Sequence, residues 1–171
     1  DLTKDVVYGV AGQVTSMKYM QWAHNGAADL FTETRTYDTL FQLTRQVTTG
    51  TSGTAADIGY TYSGSQNNGR ILSRTNYERS GEVVTYQYDS LNRVTSAGSS
   101  VGWTQSFDFD GFGNLWSQTM ANGTATPMNV NIDMTTNRIN SSGWSHDANG
   151  NTDEMPTLGG NATLSYDLDN R

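Results

Sequence analysis

The sequence contains no cysteine, and among its 171 residues there are only two prolines and two histidines. Without cysteine the chain has no disulfide and no thiolate ligand, and two histidines give a zinc site very few groups to bind through. No apolar run approaches the ~18 residues that a membrane-spanning helix needs, and no signal-peptide pattern stands at the start. We therefore expect no membrane span and no metal or other cofactor.

Positive charge is also scarce. The chain has 10 Lys and Arg against 17 Asp and Glu, so its net charge is −7, with a pI near 4.5. The basic residues form no cluster that would attract a phosphate backbone. We therefore expect no nucleic-acid binding.

Small and polar residues dominate what is present, since 35% of the residues are hydrophobic and 16% are charged. Abundant Gly, Ser, Thr and Asn favour many short strands joined by turns rather than helices. Nine tyrosines argue against a disordered tract. The segment from Met17 to Leu30 contains alanines and is compatible with a helical turn.

The stretch TYQYDSLNRVTS, residues 85 to 96, has the pattern of a β-hairpin. Apolar or aromatic residues alternate with polar ones up to Tyr88, which is the period of a strand with one covered face. Asp89 and Asn92 then supply short polar side chains that stabilise turns, and a β-branched run resumes beyond them. We expect Asp89 to accept hydrogen bonds from turn amides and Arg93 to begin the return strand.

The same pattern recurs along the whole chain. Each copy has an aromatic residue, usually followed by Asp, then a short turn rich in Gly and Asn, then Arg, Gln or Asn and a branched apolar residue. Eight degenerate copies begin at Tyr8, Tyr37, Tyr62, Tyr88, Phe109, Ile132, His146 and Tyr166. The residues assigned to the motif are Tyr8, Tyr37, Asp38, Tyr62, Arg70, Tyr88, Asp89, Asn92, Arg93, Phe109, Asp110, Gly113, Asn114, Asp133, Arg138, Asp147, Gly150, Tyr166 and Asp167.

These copies predict an all-β fold of consecutive antiparallel β-hairpins, as a single segment over residues 1–171 with about eight repeats. Their irregular spacing predicts variable links between hairpins, of which residues 50–57 (GTSGTAAD) and 121–127 (ANGTATP) are the most flexible. The closing YDLDNR stops before a return strand, so we expect the chain to be part of a longer one. Free sheet edges would allow self-association.

The runs YDSLNRV, FDGFGNL, HDANGN and YDLDNR resemble the YD-repeat, or Rhs (rearrangement hot spot), family. The aromatic–aspartate pair is intact in Tyr37-Asp38, Tyr88-Asp89, Phe109-Asp110 and Tyr166-Asp167. The sequence departs from the family pattern where Gly9 follows Tyr8, where Ser63 follows Tyr62, and where Ile132 and His146 replace the aromatic residue.

The resemblance implies a curved, spiralling sheet of hairpins that forms a hollow shell. In bacterial Rhs proteins and the related C component of insecticidal toxin complexes, such a shell encloses a toxic C-terminal domain, and in animal teneurins a similar shell belongs to an adhesion receptor. The resemblance therefore implies a secreted or cell-surface structural module of a bacterial secretion or competition system. Its partners would be the rest of the parent shell and the enclosed effector domain.

Two stretches contain residue types that carry chemistry in other proteins. Ser145-His146-Asp147 has the residue types of a nucleophilic triad, but neighbouring strand residues point to opposite faces, so the three side chains cannot align. HDANGNTDE, from His146 to Glu154, is dense in oxygen ligands, but its spacing departs from that of a calcium loop. We expect turn chemistry there, no catalytic residue and no enzymatic activity.

The aromatic residues allow two interpretations. Trp22, Trp103, Trp116, Trp144 and the tyrosines suit cross-strand packing in a thin sheet, which is the interpretation we favour. Exposed aromatic faces also stack on sugars, so the alternative is an extracellular carbohydrate-binding or adhesive module, or a self-assembling scaffold.

Overall fold

The structure is a computed structural model that describes residues 3–23, 26–124, 126–167 and 169. These residues form β-strands and one short 3-10 turn. The strands are β1 (Thr3–Tyr8), β2 (Val14–Ala23), β3 (Gly26–Tyr37), β4 (Leu43–Gly50), β5 (Gly53–Tyr62), β6 (Ile71–Asn76), β7 (Glu82–Tyr88), β8 (Val94–Ser99), β9 (Thr104–Phe109), β10 (Leu115–Ala121), β11 (Met128–Asn129), β12 (Ile132–Asp133), β13 (Arg138–Ile139), β14 (Ser145–His146), β15 (Thr152–Thr157) and β16 (Gly160–Thr163).

Strand order follows chain order throughout. Strands β1 to β8 lie side by side in chain order, β10 pairs with β11, and β12–β13 and β14–β16 form two small sheets. The ladders between β1 and β8 are antiparallel, as hairpin connections require. The prediction of an all-β chain of consecutive antiparallel hairpins is confirmed.

The chain forms two compact units, residues 1–104 and 105–171. The first contains β1 to β8, and the second contains β10 to β16. The prediction of a single repeat segment over residues 1–171 stays a prediction.

Residues 17–23 and 26–30, the described part of the alanine-containing segment from Met17 to Leu30, are strand and not helix, so the expectation of a helical turn is wrong there. β2 and β3 form a hairpin over it, in which Met17 is opposite Glu33 and Ala23 is opposite Gly26. Pairing of β2 with β1 and of β3 with β4 overrides the helical preference of alanine. The 3-10 turn lies elsewhere, at Tyr77–Arg79.

The predicted link at residues 50–57 is also mostly strand. β4 ends at Gly50 and β5 begins at Gly53, so only residues 51–52 form the turn. Gly53, the first residue of β5, has a φ of 116°, which glycine adopts without steric cost. Residues 121–127, by contrast, include the loop between β10 and β11.

Few apolar side chains are fully buried. Among the described residues, the buried hydrophobic side chains are Val84 and Ala97, at 2% and 6% exposure. Buried polar residues outnumber them and are Glu33, Asp57, Glu82 and Ser117. Because a buried charge is costly unless it is paired, hydrogen bonds must carry much of the specificity of this fold.

The outer edge of β1 is irregular. The ladder between β1 and β2 shifts register between Lys4 and Val7, and Asp5 has a positive φ of 50°. Lys18 forms an ion pair with Asp5 at 2.9 Å. Charges and a bulge at an edge strand discourage pairing with another chain. Self-association through free edges stays a prediction.

No helix among the described residues is long and apolar enough to cross a membrane.

Val84 is the apolar side chain on which we expect the first unit to depend most. Val84→Ala removes two buried methyl groups and should lower the free energy of unfolding by about 2 kcal/mol, measured by urea denaturation. Val101→Ala is the matched control, because Val101 is 68% exposed at a turn. Its effect should stay within about 0.5 kcal/mol. Equal losses in the two variants would contradict the assignment of Val84 to a core.

Candidate functional site

Asp89 closes its turn through both its backbone and its side chain. Its N–H donates to the carbonyl of Arg93 at 3.0 Å, and its carbonyl accepts from the N–H of Asn92 at 3.1 Å. Oδ1 accepts from the N–H groups of Leu91 and Arg93, both at 2.9 Å, and Oδ2 accepts from Arg93 Nε at 2.6 Å. One carboxylate therefore holds three donors of the turn.

Three further aspartates have the same geometry, and we call the four loops the aspartate turns. Asp38, Asp110 and Asp147 each accept from the N–H groups two and four residues later, at 2.8 to 2.9 Å. The residue three positions after each aspartate has a positive φ, as in a type I turn followed by a left-handed residue. These residues are Phe41 (59°), Asn92 (65°), Gly113 (94°) and Gly150 (93°).

Glycine and asparagine tolerate this backbone conformation, whereas Phe41 adopts it at a cost of about 1 kcal/mol. Gly150 has a second constraint, because a Cβ there would lie 2.5 Å from Nη2 of Arg138. The Gly/Asn position of the motif is therefore set by backbone geometry.

The first copy closes its turn without an aspartate. Gly9 occupies that position, and its N–H donates to the carbonyl of Gln13 at 2.8 Å. Oε1 of Gln13 accepts from the N–H of Ala11 at 3.0 Å, taking over a bond that aspartate makes elsewhere. Tyr8, which precedes this turn, is 62% exposed.

The third copy departs further, because Ser63 follows Tyr62 and the loop is longer. Ser63 Oγ accepts from the N–H of Gln66 at 3.0 Å. Arg70 closes this loop, since its Nε donates to Asn68 Oδ1 at 3.0 Å.

In the sixth copy Asp133 begins a loop one residue longer than an aspartate turn. Its Oδ1 accepts from the N–H and the hydroxyl of Thr135, and its carbonyl accepts from the N–H of Asn137 at 2.7 Å. Arg138 lies directly opposite Asp133 in the β12–β13 ladder.

In the last copy Asp167 Oδ1 accepts from the N–H of Asp169 at 2.9 Å.

One turn of this kind escapes the sequence pattern. Between β8 and β9 the N–H of Ser99 donates to the carbonyl of Trp103 at 2.9 Å, and Gly102 has a φ of 101°. Ser99 Oγ accepts from the N–H of Val101 at 3.2 Å. No aromatic residue precedes Ser99, so only the serine and the glycine three residues later could have indicated it.

Four of the five motif tyrosines, Tyr37, Tyr62, Tyr88 and Tyr166, join their hairpin to the one before it. Each donates its hydroxyl hydrogen to the carbonyl of the residue that begins the return strand of the preceding copy, and we call these bonds the tyrosine ties. They run from Tyr37 to Val14 at 2.7 Å, from Tyr62 to Leu43 at 3.0 Å, from Tyr88 to Ile71 at 2.7 Å and from Tyr166 to Thr152 at 2.9 Å.

The ties form where the backbone ladders stop. The ladder between β2 and β3 ends at the pair Ser16–Thr34, and the acceptor Val14 lies two residues beyond it. The tyrosine hydroxyl therefore supplies a donor to a residue that has no pair in the ladder with the tyrosine's own strand. The same offset separates Leu43 from the pair Arg45–Gly59 and Ile71 from the pair Ser73–Thr85.

Side chains at the end of three turn regions, Gln42, Arg70 and Asn114, also reach the next copy. Gln42 and Asn67 exchange two amide hydrogen bonds, at 2.6 and 3.1 Å. Asn114 Nδ2 donates to Asn137 Oδ1 at 2.6 Å, and Arg70 lies 5.3 Å from the ring centroid of Tyr88. In these places, contacts between side chains link one turn region to the next copy.

Three sets of solved chains have a similar fold. A Tc holotoxin pore of Photorhabdus luminescens that carries a TccC3 variant matches 97% of this chain at 16% identity, with a TM-score of 0.55. A TcdB2–TccC3 complex matches 97% of this chain at 16% identity, with a TM-score of 0.55. The complex TcdB2–TccC3–Cdc42 matches 98% of this chain at 16% identity, with a TM-score of 0.54. The likeness shows a shared fold. This chain spans 11% to 12% of the length of those chains. No family model and no curated protein matches the sequence.

Three buried carboxylates in the first unit form a second set of contacts, which sequence spacing did not reveal. Asp57 accepts two bonds from Arg45, at 2.8 and 2.6 Å, and Arg45 also lies 4.7 Å from the ring centroid of Tyr77. Arg45 and Asp57 are diagonal neighbours, since Val47 is opposite Asp57. The strand register, invisible in sequence, brings them together.

The other two buried acids are held by hydroxyl, indole or guanidinium donors. Glu33 accepts from Tyr19 at 2.9 Å and from Arg35 at 2.5 Å. Glu82 accepts from Ser99 at 2.5 Å and from the indole of Trp103 at 3.1 Å. Hydrogen bonds from Ser99 chiefly lower the pKa of Glu82, and those from Arg45 lower that of Asp57. Such donors stabilise the ionised carboxylate and hold the strands in register.

The segment from Ser145 to Glu154 uses its polar groups in separate contacts. Ser145 Oγ donates to Asp153, while Asp147 holds its own turn. Glu154 accepts from Asn161 Nδ2 at 2.8 Å. Within the described part of the chain, no three His, Asp or Glu side chains converge as metal ligands. His24 and the side chain of Trp22 lie outside the described part.

Four carboxylates that accept hydrogen bonds within turns, those of Asp89, Asp110, Asp133 and Asp147, have a lowered pKa. The pKa of Asp89 is lowered chiefly by the backbone N–H of Arg93, and that of Asp133 by a threonine hydroxyl. The pKa values of Asp110 and Asp147 are lowered chiefly by the side-chain amide of the asparagine four residues later. A lowered pKa in the folded state gives stability that is present above the unfolded value and lost as pH falls through the folded one.

We therefore predict that stability is lost on acidification as the pH approaches the ordinary aspartate value of 3.8 and falls below it. The urea midpoint should be constant from about pH 7 to pH 5 and then fall towards pH 3. Asp89→Asn should lower the midpoint at neutral pH and reduce its fall on acidification. Asp108→Asn is the control, because Asp108 is exposed and accepts no hydrogen bond among the described residues. Identical pH profiles for the two variants would contradict the role of Asp89.

The tyrosine tie is tested by removing a single oxygen atom. Tyr88→Phe leaves the carbonyl of Ile71 without this donor and should lower the free energy of unfolding by about 1 kcal/mol. Tyr86→Phe is the matched control, because Tyr86 lies on the same strand and its hydroxyl has no hydrogen-bond partner among the described residues. Its effect in the same urea titration should be within about 0.5 kcal/mol of zero. An equal loss in both variants would show that the tie contributes nothing specific.

Proposed function

We propose that the chain is a non-catalytic wall segment of a hollow shell, which encloses an effector or toxin domain of a longer secreted protein. The observation that carries this proposal is the tyrosine tie. Each tie makes a hairpin depend on the preceding one at an equivalent position, so hairpins add to a continuous wall. Such a unit has its role in a larger assembly rather than in a single reactive site.

The distribution of burial supports a wall. A globular domain of this length would bury a sizeable apolar core, yet the described residues bury Val84 and Ala97 as their hydrophobic core. Most other strand residues are only partly buried. A sheet that separates an interior from an exterior needs pairing along its length more than a second packed layer.

The carboxylates support a non-catalytic role. Asp57, Asp89 and Glu82 each accept from two or more donors of the fold. A general base needs a carboxylate placed to take a proton from substrate, whereas these groups are engaged in closing turns and joining strands.

The similar chains and the sequence resemblance support the enclosed cargo. TccC3 and TcdB2 are components of Tc toxins, and this chain has the fold of about a ninth of their length. The resemblance to the YD-repeat family implies a shell around a toxic domain. We therefore propose a bacterial secretion or competition system, an extracellular or cell-surface location, and partners in the remaining shell and its effector.

The test is electron cryomicroscopy and limited proteolysis of the full protein encoded by the gene that contains this chain. We expect a closed shell and a downstream domain that resists protease. Tyr88→Phe together with Tyr62→Phe removes two ties and should accelerate cleavage of the enclosed domain. Tyr86→Phe should leave the cleavage rate unchanged. An open sheet with no cavity, or a downstream domain cut at the same rate in all variants, would overturn the proposal.

A further inference from the structure

The second unit contains an open groove between two consecutive turn regions, with a volume of about 250 Å³. We call it the Trp116 groove. Its lining residues are Asp110, Trp116, Val130, Asn131, Ile132 and Met134.

Hydrogen bonds fix both walls of this groove. Asn114 Nδ2 donates to Asn137 Oδ1 at 2.6 Å and so joins the turn of Asp110 to the loop that carries Met134. The N–H of Val130 donates to the carbonyl of Trp116 at 2.9 Å, which holds the chain beside β10. The groove is therefore formed before any ligand arrives.

Asn131 is held by its backbone. Its N–H donates to Ser141 Oγ at 2.6 Å, and its carbonyl accepts from the N–H of Asn140 at 2.9 Å. Its side-chain amide has no hydrogen-bond partner in the described ranges. A donor and an acceptor thus stand at a fixed place in the groove wall.

Trp116 also has an unused donor. Strand alternation buries its neighbour Ser117 and leaves Trp116 42% exposed. Its indole N–H has no partner among the residues that the structure describes, whereas the indole of Trp103 donates to Glu82 at 3.1 Å. Trp103 is engaged within the fold, and Trp116 retains both an apolar ring and a free donor.

We propose that the Trp116 groove binds one pyranose ring of a neutral oligosaccharide. A sugar ring has an apolar C–H face and a polar hydroxyl edge, which match the indole of Trp116 with its N–H and the amide of Asn131. The volume lies below the range of about 300 to 1,000 Å³ typical of pockets for larger ligands, so it suits a single ring. The binding is independent of the wall function.

Charge selects a neutral sugar. Asp110 places a carboxylate in the groove wall, and the chain has a net charge of −7. Both disfavour sialylated or sulfated glycans. An apolar peptide would leave the Asn131 amide unpaired on binding, which is costly.

The test is isothermal titration of the chain with maltotriose, cellotriose and chitotriose, each up to about 10 mM, because one small site binds in the millimolar range. We expect at least one of the three to bind, and sialyllactose to bind more weakly. In the unaltered chain, the indole N–H resonance of Trp116 should shift on titration. Trp116→Ala should weaken binding at least ten-fold, and Asn131→Ala should weaken it about three-fold.

Phe112→Ala is the matched control, because Phe112 is 65% exposed in the turn of Asp110 and does not itself line the groove. It should bind as the unaltered chain does, with circular dichroism confirming the fold of each variant. Failure of all three sugars to bind or to shift the Trp116 resonance would overturn the proposal, as would equal affinity in Trp116→Ala. Binding of a Leu- and Phe-rich peptide in place of sugar would assign the groove to an apolar peptide instead.

Discussion

The hydrogen bond from a motif tyrosine to the preceding hairpin is the interaction on which the rest of the fold depends. Antiparallel ladders hold strands together along their length, but the ladder with the following strand ends two residues before Val14 and before Ile71, so these residues have no pair in it. A tyrosine has the reach to cross to the neighbouring strand and a hydroxyl to donate. The same side chain covers apolar surface on the way, so burial raises the pKa of Tyr62 and of Tyr88.

The aspartate turns make this reach possible, because they fix where each tyrosine stands. In the fourth copy Tyr88 is opposite Val94, and a register shift that leaves out Thr95 separates this pair from the pair Gln87–Ser96. Asp89 accepts from the amides of Leu91 and Arg93 within the turn that follows. The aromatic residue, the aspartate, the Gly or Asn and the branched apolar residue of the motif are thus four parts of one geometry.

Much of this could be predicted from the sequence, because period-two alternation and turn residues are local. Asp89 was expected to accept turn amides, and it accepts two. The pairing of Arg45 with Asp57 could not be predicted, since it depends on which residues the register places diagonally. Nor could the acceptors of the tyrosine hydroxyls, which lie 14 to 23 residues away. The alanines near residue 27 predict a helical turn, and this prediction is wrong for the same reason. Pairing with neighbouring strands outweighs the local helical propensity of alanine.

A sheet held by directional bonds tolerates sequence change differently from one held by a core. Replacement of the aspartate by Gly9 is accommodated because Gln13 supplies an acceptor for the same turn, and Ser99 closes a similar turn with a hydroxyl. What matters at each position is a donor or acceptor in the right place, and several residue types provide one. The sequences of the copies can therefore differ widely while the strands keep the same pairing. This accounts physically for a shared fold at 16% identity with the TccC3-containing chains.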